Sequence, residues 1–298
     1  MLMGLLASVS IAGCSLNRMA VNRIGDALAG SGTTFSSDDD PELVGQAIPF
    51  SLKLIESLLA SAPEHRGLLL AASSGFTEYA FAFVQLPADT LEDHDLAAAM
   101  AERARARRLY LRARDYGLRG LETRHPNFSE QLRADARAAV GAARIEDVPQ
   151  LYWTAAAWGA AISLSKDNPD LVADLPLVQA LIDRALALDE SWGDGSIHGF
   201  LIAYEMVRQG AGGDPAQRSR AHFDRVVALT GAQLVSPFIS FAEAVCIPRQ
   251  DRREFEAMLQ RALAVDANAR PEWRLQNLIM QRRARWLLAR ADQLFLDP

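Results

Sequence analysis

Three stretches in the second half of the chain superimpose, and they constrain the fold more than any other feature. They are Ala180-Leu-Ile-Asp-Arg184-Ala-Leu-Ala-Leu-Asp189, Ala221-His-Phe-Asp-Arg225-Val-Val-Ala-Leu-Thr230 and Ala257-Met-Leu-Gln-Arg261-Ala-Leu-Ala-Val-Asp266. Their arginines stand 41 and 36 residues apart. Residues 54–60 form a fainter copy with Ser57 in the arginine position, and residues 109–113 a looser one around Arg112. Another apolar segment precedes each copy: 151–165, 197–209 and 237–247. Two helices per unit at this spacing is the pattern of tetratricopeptide-like repeats, whose units average about 34 residues. Each such unit buries its faces only against its neighbours. The expected fold class is all-α: an α-solenoid of tetratricopeptide-like helical hairpins with a long C-terminal capping helix over 271–295. No strand-type alternation competes with it.

Local signals place the remaining helices. Asp40-Pro41-Glu42 reads as a helix start, with Asp40 as N-cap and Pro41 in the first turn. The acids Asp38, Asp39 and Asp40 are adjacent rather than alternating and have no turn glycine, so they do not form a calcium loop. Helices are predicted over 43–62, 64–86, 95–124 and 129–143, with Pro87 and Asp89 ending the second. Residues 151–167, LYWTAAAWGAAISLSKD, are apolar on nearly every side of a helix, which predicts burial among other helices. Ala156, Ala157, Ala160 and Ser163 share a face there, through which a neighbouring helix backbone is expected to approach closely.

The N-terminus reads differently. Residues 1–10 are apolar and uncharged, and Ile11-Ala12-Gly13-Cys14 follows them. The run is shorter than the roughly 20 residues needed to cross a bilayer. It fits the end of a secretion signal closed by a lipobox, although it carries no Lys or Arg before the apolar run. Residues 1–13 are therefore expected to be a cleaved signal, with Cys14 lipidated. Residues 14–40 would be a tether with a first helix over 17–30, and 41–298 a single helical-repeat domain. Ser15 after the cysteine fits transfer to the outer membrane. The other cysteine, Cys246, lies in an apolar helical run and is expected to be a buried thiol.

The search for chemistry is short. A net charge of −6 argues against general nucleic-acid affinity. The arginine-dense stretch 102–124 has acids at helical spacing and reads as a solvated, partly paired face. His65, His94, His125, His198 and His222 are scattered, and none forms a zinc pattern with a second histidine or a cysteine. Gly210-Ala-Gly-Gly213 lacks the Lys-Ser/Thr of a phosphate loop. Ser196 does not have nucleophile-elbow spacing. No catalytic constellation, metal site or cofactor site is expected.

Several segments together carry a family resemblance: Gly75-Phe-Thr-Glu-Tyr-Ala80, residues 105–121 (RARRLYLRARDYGLRGL), Leu151-Tyr-Trp-Thr-Ala-Ala-Ala-Trp158-Gly, Leu164-Ser-Lys166-Asp and Ile197-His198-Gly-Phe-Leu-Ile-Ala-Tyr204-Glu205. The chain resembles the T component associated with TRAP transporters (the TatT family). The resemblance runs from Cys14 onward. It implies a lipid-anchored accessory protein facing the periplasm, assembled as a homotrimer, that docks the substrate-binding protein of a tripartite ATP-independent periplasmic transporter. It also implies a pore or cleft for a hydrophobic or organic-acid ligand, and no catalytic role. The aromatics of the matching segments are the expected ligand contacts: Tyr79, Phe83, Tyr110, Tyr116, Tyr152, Trp153, Trp158 and Tyr204, with Lys166 and His198 as polar handles. The rival reading is a general envelope scaffold lipoprotein without a small-molecule ligand.

Overall fold

The computed structural model describes residues 34–296, and among them every regular element is helical. The expected first helix over 17–30, and Cys14, lie outside the described residues. Fourteen helices are numbered here in chain order: α1 (Pro41–Ser61), α2 (Arg66–Leu91), α3 (Leu96–Glu122), α4 (Phe128–Ala134), α5 (Ala136–Gly141), α6 (Val148–Ser163), α7 (Pro169–Val172), α8 (Leu175–Leu188), α9 (Trp192–Tyr204), α10 (Pro215–Thr230), α11 (Ser236–Cys246), α12 (Arg252–Ala264), α13 (Arg274–Ala289) and α14 (Ala291–Leu294).

Most boundaries follow local chemistry. The Asp40 carboxylate accepts from the Leu43 amide at 3.0 Å, and Pro41 opens α1 as expected. Asp95, Asp135, Asn168 and Asp251 cap α3, α5, α7 and α12 in the same way. Three expectations need correction. Pro87 does not end α2. The helix widens into a π turn over Phe81–Gln85, and Pro87 sits in the first turn of the α segment that follows, where its missing N–H costs nothing. The stretch 129–143 is broken at Asp135, which turns extended to cap α5. The capping helix is interrupted at Arg290.

The three sequence copies become α8, α10 and α12, and their matched arginines do matched work. Arg184 donates to the carbonyls of Gly141 and Ala143, Arg225 pairs with Glu190, and Arg261 lies over the rings of Phe223 and Phe238. Each reaches back into structure that precedes it in the chain, so one sequence position fastens successive hairpins.

The helices pack in two layers. α3, α8, α10 and α12 lie outside, and α2, α6, α9, α11 and α13 inside, each inner helix touching the next. α1 packs against α2, and its N-terminal end meets α13. That last contact is a long-range one. The Leu275 amide donates to the Ser36 carbonyl at 3.0 Å, and Arg274 to the Ser37 carbonyl at 2.9 Å. Arg282 pairs with Glu42, Arg283 with Asp89 at 3.1 Å and Arg290 with Asp93 at 3.0 Å. Leu86 of α2 joins the C-terminal apolar core. The first and last hairpins are thus sewn together, and the inner layer closes into a ring.

Close packing between the layers falls where two glycines allow it. A Cβ on Gly117 would stand 2.2 Å from the Thr154 hydroxyl, and one on Gly120 2.2 Å from the Gln150 amide. The backbones of α3 and α6 therefore meet through Gly117 and Gly120. The small residues of α6 play a different part: Ala157 is buried, whereas Ala156 and Ala160 are partly open and Ser163 is exposed.

Candidate functional site

Several small groups stand at accessible or partly accessible positions on the inner helices. Besides Ala156 and Ala160, α9 presents Ser196, Gly199 and Ala203; a Cβ on Gly199 would meet nothing within 4 Å. From α2 come Ser74, Glu78 and Phe81, which share a face at helical spacing.

Glu78 is accessible on α2, and loss of surrounding water pushes its carboxyl up to about 7. Tyr152 on α6 stands in the same environment: desolvation pushes its hydroxyl well above the usual range, the Glu78 charge adds to that, and the Ser196 hydroxyl beside it works in the opposite direction. The Tyr152 ring meets Trp153 edge-on at 5.0 Å and Trp192 at 4.8 Å. Tyr152, Trp153 and Trp192 thus form one partly exposed aromatic cluster between α6 and α9. A second glutamate, Glu243, occupies the π turn of α11 (Ala242–Cys246). Burial pushes its carboxyl up, and Arg283 opposes the shift. The Arg283 guanidinium lies 2.6 Å from Glu243 and 3.1 Å from Asp89.

The ten residues singled out from the sequence are not brought together. Tyr152 and Trp153 are partly exposed and share one aromatic cluster with Trp192. Tyr110 is buried in the α2–α3 interface, its hydroxyl donating to Gln85 at 2.6 Å. Trp158 is 1 % exposed and lies beneath the guanidinium groups of Arg114 and Arg133. Tyr204 is buried against Phe200 and donates to the Leu175 carbonyl. These three are core residues. Tyr79 and Phe83 stack on each other at 5.9 Å, Tyr79 toward Arg105 of α3 and Phe83 against Gly45 of α1. The Tyr116 hydroxyl donates to Glu56 at 2.8 Å, and its ring borders a shallow outer groove on α3 with Arg112 and Arg119. Lys166 is exposed in the turn after α6.

His198 lies between α9 and α10, away from the lumen. Contrary to the reading of scattered histidines, it meets His222, with the two Nδ1 atoms 2.8 Å apart. Glu190 lies 3.4 Å from His198, and Glu205 lies 3.8 Å from His222. Glu205 is itself buried and paired with Arg208 and Arg218. Desolvation lowers the affinity of both imidazoles for a proton, and the proximity of His198 lowers that of His222 further. No group of three or more ligands fit for a metal occurs among the described residues.

Glu78, Trp192 and Ser196 were missed as site residues. Glu78 sits in a motif already quoted for the resemblance, and its signal was an acid on an otherwise apolar helix.

The family model for the TRAP transporter T-component matches residues 37–295, which takes in the entire ring. The chain belongs to the TRAP transporter T-component family. A protein of Treponema pallidum (strain Nichols), described as uncharacterized, is 31% identical over 304 residues, covering 96% of this chain and 94% of its own length. As a T-component the protein has an accessory role in a TRAP transport system of the cell envelope. Both glutamates, Glu78 and Glu243, lie within the matched region.

Proposed function

We propose that this T-component holds an apolar or amphiphilic ligand in its lumen and exchanges it with the substrate-binding protein of its TRAP system. The observation behind this reading is the pairing of an accessible, poorly hydrated Glu78 with a ring closed by the α1–α13 and α2–α13 contacts. The scaffold is read as a tetratricopeptide-like solenoid bent until its ends meet. A lumen walled by alanines and aromatics removes apolar surface from water at about 25 cal/mol per Å². An organic acid fits less well, because the luminal acids Glu78 and Glu243 would repel it and Arg283 is already engaged by Glu243 and Asp89.

The anchor is read as a lipid on Cys14, holding the domain at the periplasmic face of the outer membrane. Copies of the chain are read as a homotrimer. The exposed Leu43, Phe50 and Leu54 share a face of α1 and supply an apolar strip for such packing.

Native purification followed by mass spectrometry tests the core of the proposal. A periplasmic solute-binding protein and a bound small molecule should accompany the wild type. Ala160→Phe, which narrows the lumen at an open face, should lose the small molecule while remaining folded. Absence of any complex at micromolar concentrations, with an empty lumen, overturns the reading in favour of a scaffold without a ligand. Palmitate labelling that survives Cys14→Ser would remove the anchor.

A further inference from the structure

The shallow groove on the outer face of α3 has a volume of about 430 Å³ and is lined by Arg108, Leu111, Arg112, Asp115, Tyr116 and Arg119. Half of that lining is arginine, on a chain whose net charge is −6. We infer that the groove is a binding site for a phosphate-bearing anion, held by the guanidinium groups of Arg108, Arg112 and Arg119.

Charge supplies the first argument. Other arginines of α3 are answered by acids: Arg103 by Asp89 and Glu92, Arg105 by Glu102, Arg114 by Asp115 and Arg124 by Asp147. The groove arginines are not. Among the described residues Arg108 has no ion pair. Arg119 donates to the Pro63 carbonyl at 3.0 Å, a neutral acceptor. Arg112 lies 3.5 Å from Glu56, whose carboxylate already takes Lys53 and the Tyr116 hydroxyl. Asp115, the acid in the lining, is held by Arg114 at 2.7 Å. In the groove and its direct ion pairs, five cations therefore stand against two acids. The excess positive charge falls on the groove.

Preorganisation supplies the second. The Phe76 and Tyr116 rings stack nearly parallel with centroids 6.0 Å apart. The Arg112 guanidinium lies over Phe76 at 5.3 Å, and that of Arg119 over Tyr116 at 5.3 Å. Phe76 is buried, and Glu56 pins the Tyr116 hydroxyl, so this aromatic platform is fixed. A guanidinium resting on a ring keeps its N–H edge free to fork onto phosphate oxygens. Ordering these side chains before binding lowers the entropy lost on binding.

The spacing selects the anion. Arg108, Arg112 and Arg119 share a face at helical spacing and span roughly 16 Å of helix. A phosphate brings three terminal oxygens and up to two charges, which engage more than one fork. A diphosphate can meet all three arginines. The groove also falls within the roughly 300–1,000 Å³ range of small-ligand sites. It lies on the outer layer and does not depend on the ring holding a ligand.

Two probes distinguish a soluble phosphate from a lipid headgroup. Pyrophosphate is titrated calorimetrically into the full-length protein at pH about 7.5. Phosphatidylglycerol vesicles, with phosphatidylcholine vesicles as control, are co-sedimented with the full-length Cys14→Ser chain, so that no acyl group on Cys14 contributes. Arg108→Ala should weaken binding about tenfold, and Arg108→Ala with Arg119→Ala should abolish it, the scale of hydrogen bonds between charged groups. Arg137→Ala, which removes an exposed arginine of α5 outside the groove, should change the affinity by less than about twofold for want of such a contact. Raising the salt from about 50 to about 300 mM should weaken the wild type, because the site is open to solvent.

Pyrophosphate binding with this Arg108 dependence supports the site with a soluble ligand; vesicle binding with the same dependence supports it with a lipid headgroup. No binding of either probe at millimolar concentrations overturns the site, as does an equal loss in Arg137→Ala. Retention of a polyglutamate peptide with neither phosphate probe overturns it in favour of a surface for an acidic protein segment. The Arg108 side chain has no partner to lose, so Arg108→Ala should keep the wild-type melting temperature, and its loss of binding is then not unfolding.

Discussion

Two inner helices carry the same unusual combination: a glutamate with a raised carboxyl and a π turn in or beside its segment. In α2, Glu78 lies just before the turn at Phe81–Gln85; in α11, Glu243 lies within the turn at Ala242–Cys246. Both carboxyls are raised by burial. They differ in what stands opposite. Glu243 meets Arg283, which also holds Asp89 and so ties α11 to α2 through α13. Glu78 meets only neutral groups. The same kind of acid is a structural link where a cation of the protein answers it, and stands without one at Glu78. The extra residue of each π turn rotates the helix beyond it, so side chains before and after the turn face different neighbours.

The comparison can be broken most forcefully at the paired end. Arg283→Ala leaves Glu243 without its cation, while Asp89 keeps Arg103, and should cost about 2–4 kcal/mol in urea unfolding. A neutral result would mean that the seam does not hold the ring. Replacing the whole group, Arg283→Met with Glu243→Leu and Asp89→Asn, should recover most of that loss, because an apolar substitute spares the desolvation of the charges.

A smaller effect is expected between α9 and α10. His198 and His222 have proton affinities depressed in the folded protein. Their contribution to stability is therefore present above the ordinary histidine pKa of about 6.5 and is lost as the pH falls toward the depressed values. His222→Gln should flatten the fall in melting temperature between pH about 7 and about 5. An unchanged slope would show that the pair does not couple to folding.

The smallest effect belongs to the open end, and its sign is opposite. Glu78 is raised, so its ionised form burdens the fold above about 7, and the burden lifts as the pH falls through that value. Glu78→Gln should raise the melting temperature by a few degrees at pH about 8 and leave it unchanged near pH 5. A loss of stability at pH 8 would mean that Glu78 has a partner like that of Glu243.

Much of the architecture was legible in the sequence. The Asp40 cap, and the three matched arginines of α8, α10 and α12, depend on residues close in sequence or repeated in it, and helical spacing reads such features directly. The site was less legible. Aromatic identity picked out Tyr152 and Trp153 together with Tyr110, Trp158 and Tyr204, because burial in a core and exposure to a lumen place the same demand on a side chain's hydrophobicity. The small residues of α6 misled for a related reason. Alanine and serine permit a helix to approach, but equally they leave room when none does, and the close approach fell instead to Gly117 and Gly120.

By itself the sequence determined that this chain is all-helical, that its outer helices repeat, and that its T-component family is readable in local motifs. Tertiary structure alone decided that the array closes, because the closing contacts join Ser36, Glu42 and Asp89 to Leu275, Arg282 and Arg283 across nearly the whole chain.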